Sequence, residues 1–261
     1  MINRIMLDSG AYSAFSGMVK GLTVERYIEF LLQHKKELKS VTCIALDVIG
    51  DAEGSLKNFR KMQKAGLNVV PTYHAGEDTS FLEIYIKECD FVGIGGMAHL
   101  PQAVRIGMLD RLWEKFLCDK QGMPKVKVHG FGMTDWQLVR RYPWWSVDST
   151  AALMNAASAN VYIPVRHGGK WDYSQTPTQI STSLTSPTGW GGYSADVQAA
   201  VAQFCKDHGF PMGKLDAPKE GGMFHDYRVR FSINIYTIQK WTETLPKWPW
   251  AMKITRRRLL S

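Results

Sequence analysis

Cysteine is scarce in this 261-residue chain, and none of it is paired: Cys43, Cys89, Cys118 and Cys205 stand far apart with no C-x-x-C among them. That spacing excludes a zinc cage of the usual kind and a disulfide framework, and it predicts reduced, mostly buried thiols. No apolar run is long enough to span a bilayer and no leader-like segment precedes the first predicted strand, so a cytoplasmic protein is expected. A Gly-rich phosphate turn is also missing after that strand, where the residues read Asp8-Ser9-Gly10-Ala11-Tyr12. Its absence weighs against an open, doubly wound nucleotide-binding sheet. Negative charge is in deficit, with 24 Asp and Glu against 32 Lys and Arg, for a net charge of +8. Such a surplus favours a polyanionic partner.

What the chain does have is a regular alternation of short β-branched runs and amphipathic stretches. Strands are predicted at 5–7, 41–46, 68–72, 91–94, 125–128, 145–147 and 161–165. Between them, apolar residues recur at helical spacing. They include Val24, Tyr27, Leu31 and Leu32 after Thr23, a helix near 55–65, then Leu82, Tyr85, Ile86 and Cys89, and Val104, Met108, Leu112 and Phe116 after Pro101. Thr134-Asp135-Trp136-Gln137 reads as a capping box. Strand–helix alternation with buried strands predicts a parallel sheet, and the length suits one (β/α)8 TIM-type barrel domain over residues 1–261. Residues 166–193, rich in Gly, Ser, Thr, Pro and Gln, predict a long loop over the barrel mouth. Helices carrying Val197 to Cys205 and running from Asp226 to about Leu245 follow, which leaves 212–215 as the candidate eighth strand. Residues 246–261 form a basic, aromatic tail.

Chemically useful residues follow nearly every predicted strand, where a barrel keeps its active site. Asp8 follows the first, Asp47 the second, Tyr73 and His74 the third, and Gly95-Gly96 the fourth. His129-Gly130-Phe131-Gly132 follow the fifth, Asp148 the sixth, and Arg166-His167 the seventh. Three carboxylates at one mouth suit reactions at an acetal-like carbon, where one attacks and another moves a proton. The glycine pair lets a flat ligand approach the backbone. Each aspartate has a plainer alternative as a helix cap, but Ser9, Asp51 and Ser149 stand ready for that job. His74 and His129 have a plainer alternative as satisfied rim histidines.

Asp8-Ser9-Gly10-Ala11-Tyr12 resembles the Asp-Ser-Gly-Gly-Phe element of the tRNA-guanine transglycosylases, and Gly95-Gly96-Met97-Ala98 resembles their Gly-Gly-Leu-Ala turn. Gly130-Phe131-Gly132, a short helix and then Ser146-Val147-Asp148 resemble the segment leading to that family's nucleophile. The likeness covers about the first 150 residues. It implies that Asp148 is the nucleophile, Asp8 the general acid/base and Asp47 the reader of the base edge. It further implies that Tyr12 stacks on the base and that Gly95-Gly96 contact its carbonyl, with Ser9, Tyr73, His129, Gly130, Phe131 and Arg166 completing the substrate site. The family's cysteine-rich zinc subdomain is missing, and Ala11 and Tyr12 replace Gly and Phe. The pattern is therefore most similar to the short phage and bacterial members that place 7-deazaguanine bases such as preQ0 into DNA, in the host cytoplasm where phage-encoded.

The activity so implied is exchange of guanine for a 7-deazaguanine through a covalent aspartyl intermediate, without metal or other cofactor. Reaching C1′ within a duplex requires extruding the nucleotide. The alternatives are a tRNA-guanine transglycosylase, a metal-dependent barrel hydrolase using His74, His129 and Asp148, and a non-catalytic nucleic-acid-binding protein. The hydrolase lacks a His-x-His after the first strand. The binder suits the tail, where Trp248 and Arg256, Arg257 and Arg258 are expected to contact phosphates and bases, but it has no use for three carboxylates in a basic cleft.

Overall fold

The computed structural model describes residues 5–133 and 135–253. Their contacts gather into two compact units, one of residues 5–133, 141–148 and 248–253, the other of 135–140 and 149–247. The sequence had suggested a single domain over the whole chain.

The first unit is a run of parallel strands. Strand β1 (Ile5–Leu7) pairs with β2 (Val41–Ile44), Ile5 opposite Val41, and β2 pairs with β3 (Val69–Val70). Pro71 has no N–H to give, so the strand is interrupted there and resumes as β4 (Thr72–His74). The proline's carbonyl still accepts from Gly93 N–H at 2.8 Å, which carries the ladder across the gap. Beyond it β4 pairs with β5 (Phe91–Gly95), β5 with β6 (Lys127–Gly130) and β6 with β7 (Ser146–Val147), all parallel. Strand centres such as Val92, Ile94 and Val128 are fully buried, as parallel strands covered by helices require.

The helices arise where their apolar spacing and caps direct. Helix α1 (Ala11–Phe15) is a short turn, and α2 (Val24–Gln33) starts at Thr23, whose hydroxyl accepts Arg26 N–H. Helix α3 (Ala52–Lys64) is capped by Asp51 through Gly54 N–H at 2.9 Å, and α4 (Thr79–Glu88) by Asp78. Helix α5 (Gln102–Leu112) runs on into a π-helical turn over Trp113–Leu117 that buries Trp113. Helix α6 (Trp136–Arg141) is capped by Asp135, whose carboxylate accepts Gln137 N–H at 2.9 Å; the predicted box placed Thr134 there, a residue outside those described. Cys43, Cys118 and Cys205 are buried, Cys89 is partly so, and all four are free.

The second unit departs from the predicted barrel. Helix α7 (Ala151–Ala157) leads into β8 (Asn160–Ile163), the predicted seventh strand, but β8 pairs antiparallel with β11 (Thr178–Ser181). The long loop predicted over 166–193 is therefore corrected. It contains a hairpin of β9 (Val165–His167) and β10 (Lys170–Asp172), then β11 and a 3-10 turn at Trp190–Gly192. Turn-forming composition marked the bends, but the strands between them carry little apolar alternation to announce themselves. Residues 212–215 are not a strand; the chain there is irregular. Helices α8 (Ala195–His208) and α9 (Tyr227–Thr242) form as predicted, capped by Ser194 and Asp226.

The other edge of β8 is occupied by side chains. Tyr162 N–H donates to Asn234 Oδ1 at 2.8 Å, and Thr237 Oγ1 donates to the Tyr162 carbonyl at 2.9 Å, both from α9. A strand edge satisfied in this way has no groups left for another ladder. The core of this unit gathers Val161, Ile163, Ile180, Trp190, Phe204 and Ile233. Among the described residues the parallel ladder runs from β1 to β7, and no pairing closes it into an eight-stranded barrel. No helix among them is long and apolar enough to cross a membrane.

Candidate functional site

Asp8 lies one residue past β1, Asp47 three past β2 and Asp148 one past β7, all on the carboxyl side of the parallel ladder. None of them caps a helix. Asp51 caps α3, while α1 and α7 begin at Gly10 and Thr150 without a side-chain cap; Ser9 Oγ and Ser149 Oγ accept the N–H groups of Ala11 and Ala151 there. The three carboxylates are gathered closely enough that Asp8 feels the charge of both others. Partial burial pushes the Asp8 carboxyl up from the ordinary aspartate range, the Ser9 and Gly10 N–H groups pull against it, and Asp47 and Asp148 add to the rise. Asp8 therefore holds a proton more readily than a free aspartate.

Asp148 stands at the rim, its side chain 57% exposed. Its Oδ1 accepts Gly132 N–H at 2.7 Å, while its own N–H donates to the Gly130 carbonyl at 3.2 Å. The β6 segment thus holds the β7 aspartate at both main chain and side chain. His129, whose side chain is 4% exposed, approaches Asp148 Oδ1 with Nε2 at 3.9 Å, too far for a hydrogen bond. That nitrogen has no partner, whereas Nδ1 meets Ser146 Oγ at 2.8 Å. Burial pushes His129 below its ordinary pKa, against the pull of Asp148.

Asp47 is held by Ser9, an expected substrate-site residue, and by His74, which the sequence reading left outside that site. Its Oδ2 is 3.0 Å from His74 Nε2, and Ser9 Oγ reaches Oδ1 at 3.4 Å. The other ring nitrogen of His74, Nδ1, faces Glu77 Oε1 at 3.2 Å, and Glu77 Oε2 accepts the His74 backbone N–H at 3.1 Å. Burial alone would lower His74, but the hydrogen bonds and charges of Asp47 and Glu77 override it and raise the ring to about 9. Near neutral pH His74 is an imidazolium between two carboxylates. Glu77 was missed because nothing in the sequence around it repeats or alternates. The tight His74-Ala75-Gly76-Glu77 turn that folds it back, with Gly76 at φ 110°, is its one local signal.

The remaining predicted site residues divide. Tyr73 is corrected: its ring is 1% exposed and its hydroxyl donates to the Glu77 carbonyl at 2.8 Å. Successive strand residues face opposite ways, so presenting His74 to the site turns Tyr73 into the core. Gly96 faces His74 rather than empty space: a Cβ there would lie 3.2 Å from His74 Cβ, at a φ of 80° that other residues resist. Beside it the Gly95 carbonyl accepts Ala75 N–H at 3.0 Å. A Cβ on Gly130 would meet the Trp144 ring at 3.1 Å. Phe131 lies edge-on to His129, ring centres 4.4 Å apart, and covers Gly93. Tyr12 projects from α1 with its ring exposed.

Arg166 belongs to the second unit, where its guanidinium donates to the Gly169 carbonyl and lies over Trp171. Trp248 folds back onto the first unit, its indole N–H donating to the Pro143 carbonyl at 3.1 Å and its ring edge-on to Trp145. Arg256, Arg257 and Arg258 lie outside the described residues. Among those described, no group of three or more His, Cys, Asp and Glu is arranged to hold a metal ion. The cavity beside α2, lined by Val19, Leu22, Arg26 and Phe30, includes none of the three aspartates. No family model matches the chain, and no curated protein matches it.

Proposed function

We propose that the protein is a base-exchange transglycosylase, replacing guanine in nucleic acid with a 7-deazaguanine such as preQ0 on a barrel-type scaffold. The observation that supports this best is the unequal trio of carboxylates: Asp148 exposed with one oxygen uncommitted to the backbone, Asp8 shifted toward its protonated form, and Asp47 fixed by a cation. An accessible carboxylate beside a carboxyl shifted toward its protonated form is what nucleophilic displacement at a glycosidic carbon needs.

In the first step an Asp148 oxygen attacks C1′ and the C1′–N9 bond breaks. The bonding pair leaves on N9 of guanine, and Asp8 supplies the proton that neutralises it. In the second step the incoming base loses its N9 proton to Asp8. Its nitrogen then bonds to C1′ and frees the Asp148 carboxylate. Protons and charge balance over the cycle without water or a redox partner. Asp47 accepts N–H donors from the base edge, a charge-assisted contact stronger than a neutral one. The basic net charge suits a polyanionic polymer, and the resemblance to the short, zinc-lacking transglycosylases favours DNA over tRNA, in the cytoplasm of the cell that makes it.

Incubating the protein with DNA or tRNA and a labelled 7-deazaguanine, then digesting to nucleosides for mass spectrometry, tests the reading. Label is expected in deoxynucleoside. Asp148→Asn should abolish incorporation, and Asp8→Asn should reduce it by about a hundredfold or more, both variants staying folded. Wild-type incorporation by Asp148→Asn removes the proposed nucleophile.

A further inference from the structure

The three carboxylates leave one arrangement unexplained: the buried ion cluster behind Asp47. His74 closes β4, and the turn through Gly76 brings Glu77 back to it, with Glu77 N–H donating to the His74 carbonyl at 3.1 Å. Glu77 then grips His74 at two points, ring Nδ1 and backbone N–H. Tyr73, from the opposite face of the strand, anchors the Glu77 carbonyl. The Asp47, His74 and Glu77 side chains are 10%, 17% and 13% exposed, so water hardly competes for these contacts. Each ring nitrogen of His74 faces a carboxylate oxygen. Against two ionised carboxylates a neutral imidazole would set a bare lone pair toward one of them, so the arrangement favours a ring protonated on both nitrogens.

We propose that His74 and Glu77 are positioning residues that set the base specificity of the site, holding the Asp47 carboxylate in one orientation for a nucleobase edge with two adjacent N–H donors. The inference rests on the base-exchange reading above. A carboxylate has about four lone-pair positions. His74 occupies one on Oδ2 and Ser9 weakly occupies one on Oδ1, which leaves one on each oxygen. Those two match the ring N–H and exocyclic amino group of a guanine-type base. Hypoxanthine, lacking the amino group, leaves one acceptor unmet, and adenine presents a bare ring nitrogen to a carboxylate. Without the grip of Glu77 the imidazole turns or loses a proton, and the Asp47 carboxylate is free to rotate. The titratable groups facing His74 are Asp47 and Glu77. Asp8 lies beyond Asp47, and the buried Tyr85 of α4 is kept protonated by its burial and by Glu77 and Asp47.

The test is Glu77→Gln in the full chain, which keeps the shape and removes the charge. Exchange kinetics are measured with labelled guanine as the incoming base, against hypoxanthine and adenine, alongside nitrogen NMR of the histidine rings at pH 7.5. The wild-type His74 ring should carry two protons. In Glu77→Gln the KM for guanine should rise about tenfold with kcat within about twofold, and the preference for guanine over hypoxanthine should fall about tenfold. A merely structural role would lower the active fraction and leave the preference unchanged. Should Glu77→Gln fold poorly, the wild-type ring still decides: a bare nitrogen on His74 at pH 7.5 overturns the proposal. Wild-type exchange with KM and preference unaltered in Glu77→Gln overturns this inference alone. A wild-type protein that exchanges no base, its His74 ring doubly protonated, overturns the proposed function and this inference with it.

Discussion

His74 and His129 shift in opposite directions because one is buried against carboxylates and the other against carbon and a hydroxyl. His74 is raised to about 9 from an ordinary 6.5, so the stability its ion pairs add is complete below pH 6.5 and is lost as pH climbs through about 9. The difference is worth roughly 3 kcal/mol at most. His129 is lowered by burial, so the folded state resists its protonation and stability falls as pH drops below 6.5. In urea unfolding across pH, His74→Gln should remove the decline between pH 6.5 and about 9 while keeping the acid one. An alkaline limb unchanged in His74→Gln would contradict the assignment. At this scale the sequence shows which residue types stand at the strand ends but not which way each faces. Tyr73 was the expected substrate contact and His74 a plain rim histidine, but the pleat sends Tyr73 into the core and His74 to Asp47.

At the scale of elements, local signals sufficed wherever an element is held by its own caps and apolar spacing. Thr23, Asp51 and Asp226 opened their helices as their positions suggested. They failed at β8, whose apolar run reads the same in either ladder. Its partner was decided by α9, where Asn234 is fully buried and serves three backbone groups: Tyr162 N–H, the Ala152 carbonyl at 3.1 Å and the Asn160 carbonyl at 3.2 Å. Asn234→Ala strands all three away from water and should cost about 2–4 kcal/mol, read as a lower urea midpoint with an unchanged m-value. A loss under 0.5 kcal/mol, within the range of an ordinary surface change, would mean that these bonds do not hold β8 to the helix.

For the whole molecule, a net charge of +8 predicts partners more than shape. Binding to DNA should weaken steeply with salt. Neutralising Arg256, Arg257 and Arg258 together should lower affinity for every sequence and flatten the salt slope by up to about three phosphate contacts, leaving exchange on saturated substrate nearly intact. Titrations at several salt concentrations check this, and an unchanged slope would remove the tail from the interface. The sequence by itself determined the strand–helix alternation of the first 150 residues, the placing of Asp8, Asp47 and Asp148 after strands, and the capping of α3 by Asp51, because each follows from period, cap chemistry and order along the chain. Tertiary structure alone decided the rest. It brought Glu77 onto His74 and His74 onto Asp47, buried Tyr73, folded Trp248 onto Trp145, and turned β8 into an antiparallel partner of β11. Apart from the local turn that brings Glu77 to His74, each of those outcomes depends on a contact between residues whose local sequence carries no trace of the partner, and burial, by removing water, is what gives such contacts their weight.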